Sequence, residues 1–442
     1  MSQSTQILQP SWIITVNENF DILEEHSLII INGIIQDILP NSTVNQHYPD
    51  INHNDSIINL KGQVLLPGFI NTHTHAAMSL LRGMGSDKEL QSWLNDYIWP
   101  MEGKWVGKEF IQDGTLLACA EMIKSGTTCF NDMYFFPDLV GEIADKSYMR
   151  SCLSFPILEF PSVWAKHAEE YIDKGLAIHD RYKANPLIST AFGPHAPYTI
   201  EVSTAEKINT LAEELDCNIH MHLHENQQEV SDYRQQHGQS AIEQYAERGL
   251  LSPRLQAVHM TCLSEHEISL IKKYQVSVVH CPESNMKLAS GICHITELMK
   301  HDIQVSLGTD GSASNNDLDM IGEMKSAALL AKVSSGNAAA LNAQQTLRMA
   351  TIEGAKTLGI NNICGSLEIG KSADCISIDL STIENTPHCD PVSAIIYSAS
   401  KSQVSNVWVN GKQLLKEKTL SFIDENTVLN KARTWQQKIY QK

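Results

Sequence analysis

Apolar and polar residues alternate in short runs at both ends of this 442-residue chain and follow a longer rhythm in between. Near the start, Ser11 to Val16, His26 to Ile31, Ile34 to Leu39 and Ser56 to Leu60 read as strands, rich in β-branched residues and bounded by turn formers. Near the end, Gly370-Lys371-Ser372-Ala373-Asp374 predicts a turn into a strand Cys375 to Ile378. Val404 to Val409 predicts another strand, followed by the hairpin signal Val409-Asn410-Gly411. Neither segment is long enough to bury a core alone. The economical reading joins residues 1–66 and 364–442 into one small composite β-sandwich, ending in a helix over Asn426 to Tyr440 whose role is opaque beyond surface packing.

Between these ends, strand-like and helix-like stretches alternate. The predicted strands are Val64–Asn71, Thr127–Met133, Arg150–Ile157, Leu187–Phe192, Asn218–Leu223, Ala257–Cys262, Ser277–Cys281 and Gln304–Gly308. Helical patterns such as Glu109–Lys124, Thr204–Glu214 and Glu265–Tyr274 separate most of them. Eight strands alternating with helices over residues 67–363 predict an α/β fold, a (β/α)8 TIM barrel. The rival, a doubly wound open sheet, would be supported by a G-x-G-x-x-G after a strand, and none occurs. A long irregular excursion, Gly83 to Lys108, follows the first strand and carries Trp93, Trp99 and Trp105.

Composition narrows the function classes. A net charge of −18 and the lack of any basic block argue against a nucleic-acid or anionic-membrane partner. Met1 to Thr15 lacks the charged and apolar regions of a signal peptide, and no apolar run is long enough to span a bilayer. The ten cysteines form no CxxC pair or regular framework, as expected of reduced core residues in a cytoplasmic protein.

The candidate chemistry sits at the ends of the predicted strands. The run Leu65-Leu66-Pro67-Gly68-Phe69-Ile70-Asn71-Thr72-His73-Thr74-His75 ends in two histidines that share a strand face. With 18 histidines, chance gives about one His-x-His. The chain has three such pairs, 73/75, 220/222 and 222/224. Later strands end in His195, in His222-Leu223-His224-Glu225, in His259, in His280 and in Thr309-Asp310-Gly311. Barrel active sites form at these C-terminal ends. Three imidazoles and a carboxylate suit a divalent ion such as Zn²⁺ with a position left for water. His73, His75, His222 and Asp310 are the candidate ligands, although His220, His222 and His224 share a face and spacing does not rank them.

At this point the chain resembles the amidohydrolase superfamily in its metal-dependent deaminase branch. The carriers are Pro67 to His75, Gly126-Thr127-Thr128, Gly193-Pro194-His195-Ala196-Pro197-Tyr198, His222 to Glu225, Pro282 to Gly291 and Leu307 to Gly311. The similarity spans nearly the whole chain and is greatest to 5′-methylthioadenosine/S-adenosylhomocysteine deaminases, in a group that also holds triazine hydrolases. The resemblance implies His222 as the third imidazole. It implies a single divalent ion, Zn²⁺ first, with Fe²⁺ or Mn²⁺ as alternatives. It places Glu102 on the ribose hydroxyls and His195 beside the base or ribose, and it implies a homo-oligomer, dimeric or larger.

Each candidate has a chemical reason. Asp310 can touch the metal and accept a proton from its water. Glu225 is expected to face substrate, protonate N1 of an adenine ring and carry a proton to the departing amine. His259 is expected to hold the attacking oxygen by hydrogen bonding. Trp93, Trp99 and Met101 are candidates for an apolar slot. Relatives that take S-adenosylhomocysteine tend to carry an Arg just after the third strand. Phe155 stands about there, and Arg150 lies at the strand's far end. This departure favours methylthioadenosine or adenosine as substrate, with S-adenosylhomocysteine retained as a third candidate. The rival readings are a hydrolase of guanine, cytosine or a triazine, a two-metal carbamoyl-lysine enzyme, and a catalytically inert scaffold. The second needs a lysine where the fourth strand ends, and His195 stands there.

Overall fold

The computed structural model describes residues 5–49 and 56–440; Met1 to Ser4, the first part of the stretch read for a leader, lie outside them. Eight parallel strands in chain order form the central sheet: β1 (Phe69–Thr74), β2 (Thr127–Asp132), β3 (Arg150–Ile157), β4 (Ile188–Pro194), β5 (Asn218–Leu223), β6 (Leu255–His259), β7 (Ser277–His280) and β8 (Val305–Leu307). Nearly every residue in them is buried. That is the pattern of strands covered by side chains inside and helices outside. Helices such as Lys108–Lys124, Ala168–Tyr182 and Val202–Leu215 form the outer layer.

Closure between β8 and β1 is made partly by side chains. Thr72 Oγ1 donates to Leu307 O at 2.7 Å, Asn71 Nδ2 donates to Thr309 Oγ1 at 2.7 Å, and Asp310 N donates to His73 O at 3.0 Å. Gly308 permits this approach, since a Cβ there would lie 2.7 Å from His73 Cβ. Closing the barrel therefore brings Asp310 against His73.

The chain ends meet in a second sheet of nine strands. At its centre, Ile57–Pro67 pairs in parallel with Thr5–Ile14 and antiparallel with Cys375–Asp379. Eight of its strands follow one hydrogen-bonded path, with Ile22–Glu24 paired to Thr5–Ile14 off it, and the sheet has its own small core in which Leu8, Leu28, Leu65, Cys375 and Trp408 meet. The predicted first barrel strand, Val64–Asn71, is in fact shared. Val64 to Pro67 belong to the second sheet and Phe69 onward to the barrel. The switch falls at Gly68, where a Cβ would lie 2.1 Å from Thr128. The terminal helix, Glu425–Tyr440, packs on the barrel through buried Trp435, whose Nε1 donates to Asp113 at 2.9 Å.

Candidate active site

The C-terminal ends of the barrel strands carry a buried cluster of imidazoles and carboxylates. His73 in β1 and His75, the first residue past its end, both turn toward Asp310. Their Nε2 atoms each lie 3.3 Å from Asp310 Oδ1. His222, near the end of β5, places its Nε2 3.2 Å from that of His73. His73, His75 and Asp310 offer ligand atoms within 4.8 Å of one another, and so do His73, His222 and His259.

The proton positions follow from the partners on the other side of each ring. His75 Nδ1 lies 2.6 Å from Met133 O and His222 Nδ1 lies 2.8 Å from His195 O. A carbonyl only accepts, so each Nδ1 carries the hydrogen and each Nε2 presents a lone pair. Burial lowers His73 to about 4 and His222 well below the ordinary range, so both rings are neutral. Neutral ring nitrogens and a carboxylate thus converge with no proton between them, a donor set that fits a divalent cation. Ser284 Oγ and Gly311 N orient Asp310 at 2.7 and 2.8 Å.

The three histidines around β5 separate in space. His222 joins the cluster and His220 sits one layer deeper, 2.8 Å from His73 Nδ1. His224 follows the strand end at φ +51°, and its Nδ1 turns away to Cys262 O at 2.8 Å. The next residue, Glu225, re-enters the cavity. Burial raises its carboxyl to about 8, and the charge of Asp310 adds to the shift. Its backbone and that of His224 are gripped by the Glu229 carboxylate at 2.8 and 3.0 Å. His259 Nε2 lies 3.9 Å from Glu225 Oε1, and its Nδ1 meets Asn285 Oδ1 at 2.9 Å.

These groups occupy one end of a cavity of about 300 Å³. Glu102 lines its wall and accepts from Tyr134 OH at 2.6 Å; burial raises its carboxyl despite that bond. His195 also lines it, held neutral by burial, which lowers it to about 3. Trp99, Phe160, Val163 and Tyr198 form an apolar mouth, each more than two-fifths exposed. The lining includes no lysine or arginine among the described residues.

Two side chains depart from expectation. Phe155 does not reach the cavity: its ring packs 4.8 Å from Phe192 and covers Gly175, because this β3 position points to the helix layer. The loop after β3, with Leu158, Phe160 and Val163, lines the site instead. Met101 packs on the core while Trp93 and Trp99 line the cavity. Arg150 lies at the opposite end of the barrel, in a buried pair with Asp374 at 2.7 Å. Tyr134 and Glu229 drew no attention in the sequence, and Asn285 stood there only within the Pro282–Gly291 stretch, with no role. Each acts through a partner distant along the chain or across a turn, which no local motif announces.

A parallel eight-stranded barrel with this donor cluster at its C-terminal end defines a metal-dependent hydrolase class. The amidohydrolase family matches residues 64–414, and the chain belongs to that family. It is 45% identical over 433 residues to a 5-methylthioadenosine/S-adenosylhomocysteine deaminase of Saccharophagus degradans, covering 98% of this chain and 96% of that protein. It is 42% identical over 382 residues to a 5′-deoxyadenosine deaminase of Methanobrevibacter smithii, covering 86% and 87% of the two chains. A zinc-bound adenosine deaminase from Xanthomonas campestris superposes with a TM-score of 0.93 at 40% identity, covering 98% of each chain.

Proposed function

We propose that this chain is a hydrolytic deaminase of adenine nucleosides that replaces the 6-amino group with oxygen and releases ammonia. The observation that carries the reading is the buried carboxyl of Glu225 lining the cavity beside, but not within, the His73, His75, His222 and Asp310 cluster, with burial raising it to about 8. The similarity to proteins named as deaminases of methylthioadenosine, 5′-deoxyadenosine and adenosine supports it.

His73, His75, His222 and Asp310 would hold one divalent ion, Zn²⁺ by preference, with Fe²⁺ and Mn²⁺ compatible with the same donors. When bound, such an ion lowers the pKa of a water from 15.7 toward about 7, supplying a nucleophile at neutral pH. Asp310 accepts the proton that the attacking water gives up. His259, with its Nδ1 hydrogen committed to Asn285, accepts from the remaining O–H and holds the oxygen at C6. As the oxygen–C6 bond forms, electrons move to N1 and Glu225 protonates it. Glu225, recharged with the proton held by Asp310, then delivers it to the amine, which leaves as ammonia; as the C6=O bond forms, the remaining O–H proton passes to Asp310 and on to Glu225, restoring the acid. Glu102 accepts hydrogen bonds from the vicinal ribose hydroxyls, and His195 packs beside the base.

The apolar mouth favours an uncharged 5′ substituent. A methylthio, hydroxyl or hydrogen substituent fits it, whereas the amino-acid carboxylate of S-adenosylhomocysteine would meet no cation there. An ammonia-release screen with metal-loaded protein tests the proposal across adenosine, methylthioadenosine, S-adenosylhomocysteine, guanine and cytosine. Adenine nucleosides should react, methylthioadenosine faster than S-adenosylhomocysteine. Turnover confined to guanine or cytosine would overturn the reading. Among the described residues no helix is long and apolar enough to cross a membrane. The finer reading, a cytoplasmic homo-oligomer, is tested by light scattering on the same preparation, where a monomer would refute the oligomer.

A further inference from the structure

We infer that His220 and Gln256 are positioning residues that fix the protonation of His73 from behind. This inference rests on His73 being a metal ligand. Four groups form a file through the barrel interior. His73 Nδ1 lies 2.8 Å from His220 Nε2, His220 Nδ1 lies 2.9 Å from Gln256 Oε1, and Gln256 Nε2 lies 2.6 Å from Thr357 O. His73, His220 and Gln256 are all buried, so water does not compete for these bonds.

The direction of every bond is set at the far end. Thr357 O only accepts, so the Gln256 amide must turn its NH2 toward it and its Oε1 toward His220. Oε1 in turn only accepts, so His220 carries its hydrogen on Nδ1. That leaves a lone pair on His220 Nε2, which accepts the Nδ1 hydrogen of His73. The His73 Nε2 lone pair is then free to face Asp310 and His222. Thr357 ends a helix (Ile352–Thr357) outside the strands, so a backbone carbonyl there dictates the tautomer of a ligand on β1.

A competing arrangement is built into the same pocket. Asn131 Nδ2 lies 3.2 Å from His220 Nδ1. If Asn131 donated there, His220 would carry its hydrogen on Nε2, His73 would accept on Nδ1, and His73 Nε2 would be protonated and unable to bind a cation. Gln256 prevents this by demanding a donor at the shorter distance. Its amide is thus as much a determinant of metal binding as a residue that touches the ring.

The test measures zinc affinity by chelator competition on metal-free protein, alongside the visible spectrum of the cobalt-loaded form and the thermal midpoint of each variant. Outer partners of metal-bound histidines typically contribute ~10–100-fold in affinity. His220→Leu and Gln256→Leu should each weaken zinc binding by about that factor, and His220→Gln, which restores an acceptor for His73, should recover most of it. The cobalt spectrum at saturation should stay that of wild type, since the ligands themselves are unchanged. His220→Leu binding zinc within about twofold of wild type would overturn the inference, as would His220→Gln binding as weakly as His220→Leu. Should His220→Leu fail to fold, Gln256→Leu carries the test, and undiminished affinity there overturns it. Failure of wild-type protein to bind zinc at all would sink the underlying site instead.

Discussion

At the residue scale, Glu225 decides what the cluster does. A carboxyl at the surface is ionised at neutral pH and donates nothing; burial, with the Asp310 charge, raises this one toward the protonated form. Glu225→Gln should lower ammonia release by ~10²–10⁴-fold while metal content stays near wild type. A 6-chloropurine nucleoside should lose less, because chloride leaves without a proton. Equal losses on both substrates would show that Glu225 serves in binding. The pH profile carries a sign. The acid form exists below the Glu225 pKa, so turnover of the 6-amino substrate should fall as pH rises through it. A bound cation draws that value down from the metal-free figure, placing the alkaline midpoint at or below about 8. A flat profile to pH 9 would contradict the acid role.

At the element scale, the helices behind the cavity explain the otherwise opaque C-terminal helix. Trp435 is inserted between Trp105 and Phe110, with ring centroids 6.2 and 5.3 Å away, and Lys431 and Trp435 both bond Asp113. The helix therefore braces Lys108–Lys124 and the end of the excursion that carries Glu102. Trp435→Ala should cost ~3–5 kcal/mol by loss of packing and of the Asp113 bond, read by denaturant titration. A change below about 1 kcal/mol would reduce the helix to a surface ornament.

At the scale of the whole molecule, the two sheets are joined at the barrel's base. Arg150 meets Asp374 with Nε at 2.7 Å and Nη2 at 3.2 Å, and reaches Pro186 O at 2.9 Å. Both partners are nearly fully buried, so removing one strands a charge. Arg150→Met should destabilise by ~3–5 kcal/mol, and adding Asp374→Asn should restore part of the loss. The double variant unfolding as easily as the single one would show that the pair acts by packing rather than charge. The site itself lies at the opposite end, so kcat of the folded single variant should stay near wild type.

Much of this architecture was legible in the chain because it depends on local pattern. Strands Arg150–Ile157, Asn218–Leu223 and Val404–Val409 coincide with their apolar runs to the residue. His73 and His75 face one way because the strand's alternation carries one residue past its end. What the chain alone determined was the set of elements and the chemistry carried at their ends. It could not say which histidine of 220, 222 and 224 joins the cluster, because that depends on height within the barrel and on a backbone turn at His224. Nor could it split Leu65 to Phe69 between two sheets, since both sheets demand apolar residues there. The direction of Phe155, the burial that raises the Glu225 carboxyl and the Gln256–His220 file behind His73 all arise from residues far apart in sequence. Proximity across the closed barrel, and the exclusion of water that comes with it, set those properties, and only the tertiary structure supplies either.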